Sequence, residues 1–327
     1  MHLPRNGIKR ATKLIAASLF AAASAVTVGV ATAPTASAAS PTIDVVVSPH
    51  PDDEMSAFAL ANIGAPYQVN IYMARGGSST AACQLRSLNG VLYPKGYNLG
   101  KGERLPSNFK PGVSNVTNWT KAECEKGRME STVLFLRALS QKGFRTPNVS
   151  LTPTKSVNIP GVGNVLSHVG SKGAVLFFNL GDENTNTAAT RDAINKVPQY
   201  ASQLGLPTSA RWHNIYAAAY RRTAAATAQC AYYPHVGHGT LRNAVLGGKF
   251  PAFDGYTYTA SCINDAGVNV TRTVGHSAMN AIYPKPSGPF NTYYNWLNDP
   301  EWFVDWSTSS QKYIFSNRQS FIAKPAR

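Results

Sequence analysis

His50-Pro51-Asp52-Asp53-Glu54 sets an imidazole and two adjacent carboxylates directly after an apolar run, Val45-Val46-Val47. The carboxyl end of a buried strand is where open α/β sheets bind their ligands. The side chains divide into two jobs. A neutral imidazole and one carboxylate can hold a divalent metal, and the other carboxylate can take a proton from water on that metal. Tyr233-Pro234-His235-Val236-Gly237-His238 supplies what this run lacks. Two histidines three residues apart, on a turn leading into a helix, can point at one cavity. One more neutral imidazole completes a three-ligand site with an open position for water. His/Asp/His plus water suits Zn2+ in a hydrolase, with another divalent ion as the alternative. Alone, the first stretch reads as a charged turn and the second as an incidental histidine pair; together they are far more specific.

The elements needed to carry these residues are legible as short β-rich runs and helical periodicities. Strands are expected at Asp44–Ser48, Gln68–Met73, Ala174–Leu180 and Asn214–Tyr220. A long helix is expected between the second and third. Thr120-Lys121-Ala122-Glu123 fits a capping box, and Met129, Val133, Leu136 and Leu139 recur at helical spacing. Further helices are expected over Thr187 to Ile194 and just after His238, through Leu241 and Val245. Strands alternating with helices argue for an α/β fold with a mostly parallel sheet flanked by helices. Gly76 to Val116 shows little periodicity and reads as a long loop insertion that can wall a cleft or simply decorate the surface. An aromatic-rich extension follows near the C-terminus, with Tyr293, Tyr294, Trp296, Trp302, Phe303 and Trp306. Such clusters more often form core than sugar-stacking platforms.

The first 38 residues read as a secretory signal peptide. Arg5, Lys9, Arg10 and Lys13 precede an apolar, alanine-rich run from Leu14 to Val30, and Ala36-Ser37-Ala38 is a small-residue cleavage site. The mature protein is expected to be secreted, cleaved near Ala38, with residues 39–327 forming a single catalytic domain and no stable membrane span after processing. The signal holds four basic residues, which lowers the formal +15 of the whole chain to +11. A strongly basic exported protein favours anionic cell-wall polymers or acidic glycans. The basic residues are scattered and no reader motif is present, which argues against nucleic acid. Four cysteines, Cys83, Cys124, Cys230 and Cys262, suggest disulfides outside the cytosol. Three pairings are possible; Cys83–Cys124 with Cys230–Cys262 is favoured, because each would close one loop-rich segment.

With these two motifs the chain resembles the PIG-L/LmbE-like N-acetylglucosaminyl deacetylases, which carry a His-Pro-Asp-Asp-Glu run after the first strand and a later His-x-x-His. The resemblance covers Thr42 to about Tyr283 and is dense only at the motifs. It implies a Rossmann-like fold and a zinc-dependent removal of acetyl from an N-acetylated amino sugar or glycan. It also implies roles: His50, Asp53 and His238 as metal ligands, Asp52 as general base, His235 as the catalytic histidine and Tyr233 as an assistant at the oxyanion. Arg128 stands where a substrate-binding arginine precedes a stretch like Leu136-Arg137-Ala138-Leu139. Gly237 departs from the pattern, which has Asp there to tune the first histidine. Ser56-Ala57-Phe58-Ala59 replaces the usual glycines, and Ser131 replaces an acid.

From the residues themselves, Asp182 at the end of the third strand is a candidate substrate contact. Glu54 reads as stabilising a helix start, and His276 as structural. The rival readings are a metal-dependent amidase or esterase on a non-sugar substrate, and a catalytically silent glycan- or wall-binding protein.

Overall fold

A computed structural model describes residues 40–51, 53–76, 121–141, 143–181, 186–219, 235–262, 265–273 and 318–327. The centre of the molecule is β1 (Thr42–Ser48), whose run Ile43, Val45, Val46 and Val47 is buried on both faces. Continuous β-branched runs of this kind belong to parallel strands covered on both sides. β1 pairs in parallel with β2 (Tyr67–Tyr72) on one side and β6 (Arg211–Ala217) on the other. Farther out, β2 pairs in parallel with β5 (Gly173–Phe177), and β6 with β7 (Tyr256–Ser261).

The sheet has nine strands in the order β3-β4-β5-β2-β1-β6-β7-β9-β8. Both flanks are antiparallel: β3 (Lys155–Ile159) with β4 (Gly163–Gly170) and β4 with β5 at one side, β7 with β9 (Arg318–Pro325) and β9 with β8 (Val270–Thr273) at the other. The expected mostly parallel sheet is therefore the middle of a mixed α/β sheet. The four strands expected from sequence are β1, β2, β5 and β6, each within a few residues of its expected bounds. The flanking strands escaped because three of them carry exposed polar residues and half-buried edges rather than apolar runs.

Alternation along the strands splits the core into two sides. Val45, Val47, Val69, Ile71, Leu176 and Ile215 face one side. There they meet Ala193, Ile194 and Val197 of α3 (Thr187–Gln199), and Leu241 and Val245 of α5 (Val236–Leu246). Tyr72, Val175 and Phe177 face the other side and pack on Val133, Phe135, Leu136 and Leu139 of α2 (Lys121–Gln141). The expected long helix is this α2. Val46 and Tyr216 on that same side meet Leu60 and Ala61 of a short α1 (Phe58–Ala61), together with Phe321 of β9. The helix expected from Thr187 runs past Pro198 and gives way to α4 (Ala201–Leu204), which ends on Gly205 at φ 77°, a left-handed position that glycine adopts without a Cβ clash.

Among the five parallel strands, the chain first steps outward from β1 through β2 to β5. It then returns to the opposite side of β1 for β6 and β7. The direction of winding reverses at β1, the position where open α/β sheets form a crevice at the strands' carboxyl ends. His50 and Asp53 follow β1 at that end.

Candidate metal centre

Backbone hydrogen bonds carry the strand ends past the sheet and into the site. Met73 N–H donates to the Ser48 carbonyl, Ala74 N–H to that of Pro49, and Ala218 N–H to that of Val47. Pro49 and Pro51 flank His50 and bring no N–H of their own, so the ladder stops there. The chain then enters a 3-10 turn, Asp53–Ala57, with Asp53 at its first position. The Asp53 carboxylate folds back onto the backbone it has just left: Oδ2 accepts the His50 N–H at 3.0 Å.

That same oxygen lies 3.0 Å from His50 Nδ1, and the other carboxylate oxygen lies 3.1 Å from Nε2 of His238. All three residues are buried, at 4%, 2% and 1% exposure for His50, Asp53 and His238. Their ligand atoms all fall within 4.8 Å of one another, the one such group of acids and imidazoles among the described residues. Two atoms sharing a tetrahedral ion at about 2.0–2.1 Å sit roughly 3.3 Å apart. The two Asp53–imidazole spacings are close to that value, and the donor set of two imidazoles and a carboxylate suits zinc or a similar divalent ion.

The electrostatics fit the same use. Burial pushes the Asp53 carboxyl upward, but the His238 and His50 imidazoles outweigh it and hold the group well below the usual carboxylate range. Burial likewise pushes the His238 imidazole below its usual value, against the pull of Asp53. An anionic carboxylate beside a neutral His238 imidazole is the protonation state that metal binding requires.

His235 arrives by a different route. The helix expected just after His238 begins earlier, at Val236, and His235 is its N-cap. Its Nδ1 accepts the Gly237 N–H at 3.2 Å, satisfying a helix-end donor. The ring packs edge-on against His50, with centroids 4.4 Å apart. His238, in the first turn of α5, reaches Asp53, so the two histidines come to the site from the start of one helix, as their spacing suggests. Gly237 lies between them: a Cβ there would stand 3.3 Å from His235 Nδ1 and from two atoms of the His50 ring. Where the resemblance has an acid, this chain leaves barely enough room for a methyl group.

A small pocket opens beside His50, lined by Pro49, Met73, Gly181, Thr190, Gly237 and Leu241. Met73, Thr190 and Leu241 drew no functional expectation from sequence. Met73 sits at the end of the expected second strand and the other two at helical spacing, so each reads as ordinary core until the topology gathers them. Arg128 is also buried. Its guanidinium donates to the Pro51 carbonyl at 3.1 Å, tying α2 to the metal-motif loop. Glu54 lies buried in the 3-10 turn. Asp52, Asp182 and Tyr233 lie outside the described residues, as do Gly77 to Val116 of the expected loop, His276 and the aromatic cluster. Cys262 is disulfide-bonded; the expected pairing partner, Cys230, and Cys83 lie outside them as well, and so does the side chain of Cys124. No helix among the described residues is long and apolar enough to cross a membrane. Compared with family models, curated proteins and solved structures, the chain matches none of them.

Proposed function

We propose that this protein is an exported, zinc-dependent N-deacetylase acting on an N-acetylated amino sugar or glycan. The observation that carries the reading is the Asp53 carboxylate, set between the imidazoles of His50 and His238 from two distant segments at the head of a sheet crevice. The winding of the five parallel strands supports the Rossmann-like description implied by the motif resemblance. The apolar N-terminal run with its small-residue cleavage site supports export.

His50, Asp53 and His238 would hold the ion. A divalent metal there would polarise an acyl carbonyl and make a water acidic near neutral pH. The remaining work falls to the chain. Asp52, adjacent to a ligand, takes the proton of the attacking water as general base. His235 accepts the Gly237 N–H on Nδ1, which in a neutral imidazole places the ring proton on Nε2. It therefore donates from Nε2 to the developing oxyanion, a contribution typically worth about 3 kcal/mol in the transition state. Tyr233, two residues earlier, is assigned as a second donor. As the C–N bond breaks, the proton that Asp52 took from the water passes to the amine nitrogen, and acetate and free amine leave. Arg128 and Asp182 are the substrate contacts implied by resemblance and by strand-end position. Arg128 reaches the site through the Pro51 carbonyl.

The test is acetate release from N-acetylglucosamine, chitooligosaccharides and simple amides, with and without chelator and with added zinc. Turnover of the sugars that chelator abolishes and zinc restores supports the reading. Turnover of simple amides or esters alone supports the non-sugar hydrolase. A purified chain that binds glycan yet neither holds zinc nor releases acetate is a binding protein.

A further inference from the structure

We infer that Gln319, on the last strand of the sheet, is a positioning residue for the Asp53 ligand. Its amide is buried at 1% exposure and reaches across the fold to the turn that begins with Asp53. The side-chain oxygen accepts the Ala59 N–H at 2.8 Å, and the side-chain nitrogen donates to the Met55 carbonyl. A regular α-helix would join Ala59 N–H to the Met55 carbonyl directly. Here one glutamine amide, with a donor and an acceptor on a single planar group, engages both.

The local backbone shows what this does. The chain runs as a 3-10 turn through Ala57, breaks there at φ −110° and ψ 2°, and resumes as α1 from Phe58. Ala57 offers α1 no side-chain cap, so the Ala59 N–H finds its partner on β9 instead. Phe321, two residues along the same strand face, lies in one buried apolar cluster with Ala57, Leu60 and Ala61. Gln319 and Phe321 thus grip the turn together, one by hydrogen bonds and one by apolar contact. A 3-10 helix turns about 20° more per residue than an α-helix. If the segment relaxed into continuous α-helix, Asp53 at its start would rotate away from His50 and His238. The C-terminal strand therefore sets the aim of a ligand near the start of the mature chain.

This rests on the metal-site reading and is tested by zinc affinity, which needs no turnover. Zn2+ is titrated into the metal-free full-length chain against a chromophoric chelator, for the parent, Gln319→Leu and Gln319→Glu. Thermal midpoints are measured alongside, together with the visible spectrum of the Co2+-loaded form. Gln319→Leu removes both bonds and is expected to weaken zinc binding about 10- to 100-fold, as loss of an outer hydrogen bond to a metal site does. It is also expected to shift the Co2+ bands. Gln319→Glu keeps the acceptor for Ala59 but loses the donor to Met55, and is expected to fall between. Ile322→Ala, on the opposite face of β9, serves as a control for destabilisation alone: a lower thermal midpoint with parental zinc affinity. Should Gln319→Leu fail to fold, Gln319→Glu carries the comparison. Parental affinity and spectrum in every folded Gln319 variant would overturn the inference while leaving the metal site standing. A parent chain that binds no zinc would remove the metal site and the inference with it.

Discussion

Two buried aspartates serve β1 from its opposite ends, and their partners give them opposite uses. Asp44, near the amino end, is fully buried. Its carboxylate accepts the backbone N–H groups of Ala65 and Asn214 and the Tyr216 hydroxyl, with His213 Nδ1 at 3.3 Å. Two of these donors are backbone N–H groups that can only donate, and the third is a phenol O–H that also accepts from Asn214 Nδ2. Burial, and then the carboxylate itself, push the Tyr216 phenol far above its usual range, so its proton stays in place. Asp53, beyond the carboxyl end, shares its oxygens with two imidazoles, His50 and His238. An imidazole nitrogen can exchange its proton for a lone pair, so the same separations serve a hydrogen bond or a shared cation. Burial by itself marks neither site as functional; what distinguishes them is whether the partners can give up their protons.

That contrast can be broken most directly at Asp53. Asp53→Ala should weaken zinc binding by more than about 100-fold, exceeding the loss expected at an outer-shell residue. Asp52→Asn should retain zinc and lower turnover about 100- to 10,000-fold, the range for removal of a general base. Both are read by metal titration and acetate release. Asp44→Ala should do the reverse. It leaves buried donors unmet and should cost about 3 kcal/mol or more in urea unfolding, while folded protein at low denaturant keeps parental zinc affinity. Loss of zinc binding at constant stability in Asp44→Ala would erase the distinction.

Acid sharpens it. His238 is held below 6.5, the ordinary histidine value, by burial. As pH falls below that value, the unfolded chain takes up a proton that the buried ring refuses, so stability of the metal-free protein must fall. One such group contributes at most about 1.4 kcal/mol per pH unit. His168, lowered mainly by burial, contributes in the same direction. Asp53, held low by its imidazoles against burial, contributes stability that is lost only on acidification below 3.8. Denaturant midpoints between pH 7 and 5 should therefore decline less steeply in His238→Ala than in the parent. Equal slopes would show that His238 takes up its proton while folded. The smallest effect is expected at Gly237. The Cβ of Gly237→Ala would meet the His50 and His235 rings at 3.3 Å, tight but short of a clash. A loss of a few-fold in zinc affinity is expected, about 1 kcal/mol or less, by the same titration.

The group that could hold a metal ion was legible in the sequence because coordination needs particular side chains, and a strand-end motif keeps His50 and Asp53 adjacent in any fold. The central strands were legible because β1 and β5 carry apolar runs that burial on both faces leaves, and β2 and β6 are short and rich in β-branched or aromatic residues. Alternation in Lys155-Ser156-Val157-Asn158-Ile159 before Pro160-Gly161 was a usable hairpin signal for β3 and β4. By contrast, nothing in Arg318-Gln319-Ser320 announces a strand that enters the sheet between β7 and β8, and a lone glutamine carries no period.

Residue chemistry alone determined which atoms could ligate a cation and which stretches had to be buried, since both follow from side-chain type and local spacing. The tertiary structure decided that His238 faces Asp53, that Arg128 holds the Pro51 carbonyl and that Gln319 holds the turn. Each of those depends on where distant segments come to lie, and that is set by packing the whole sheet rather than by any neighbour along the chain.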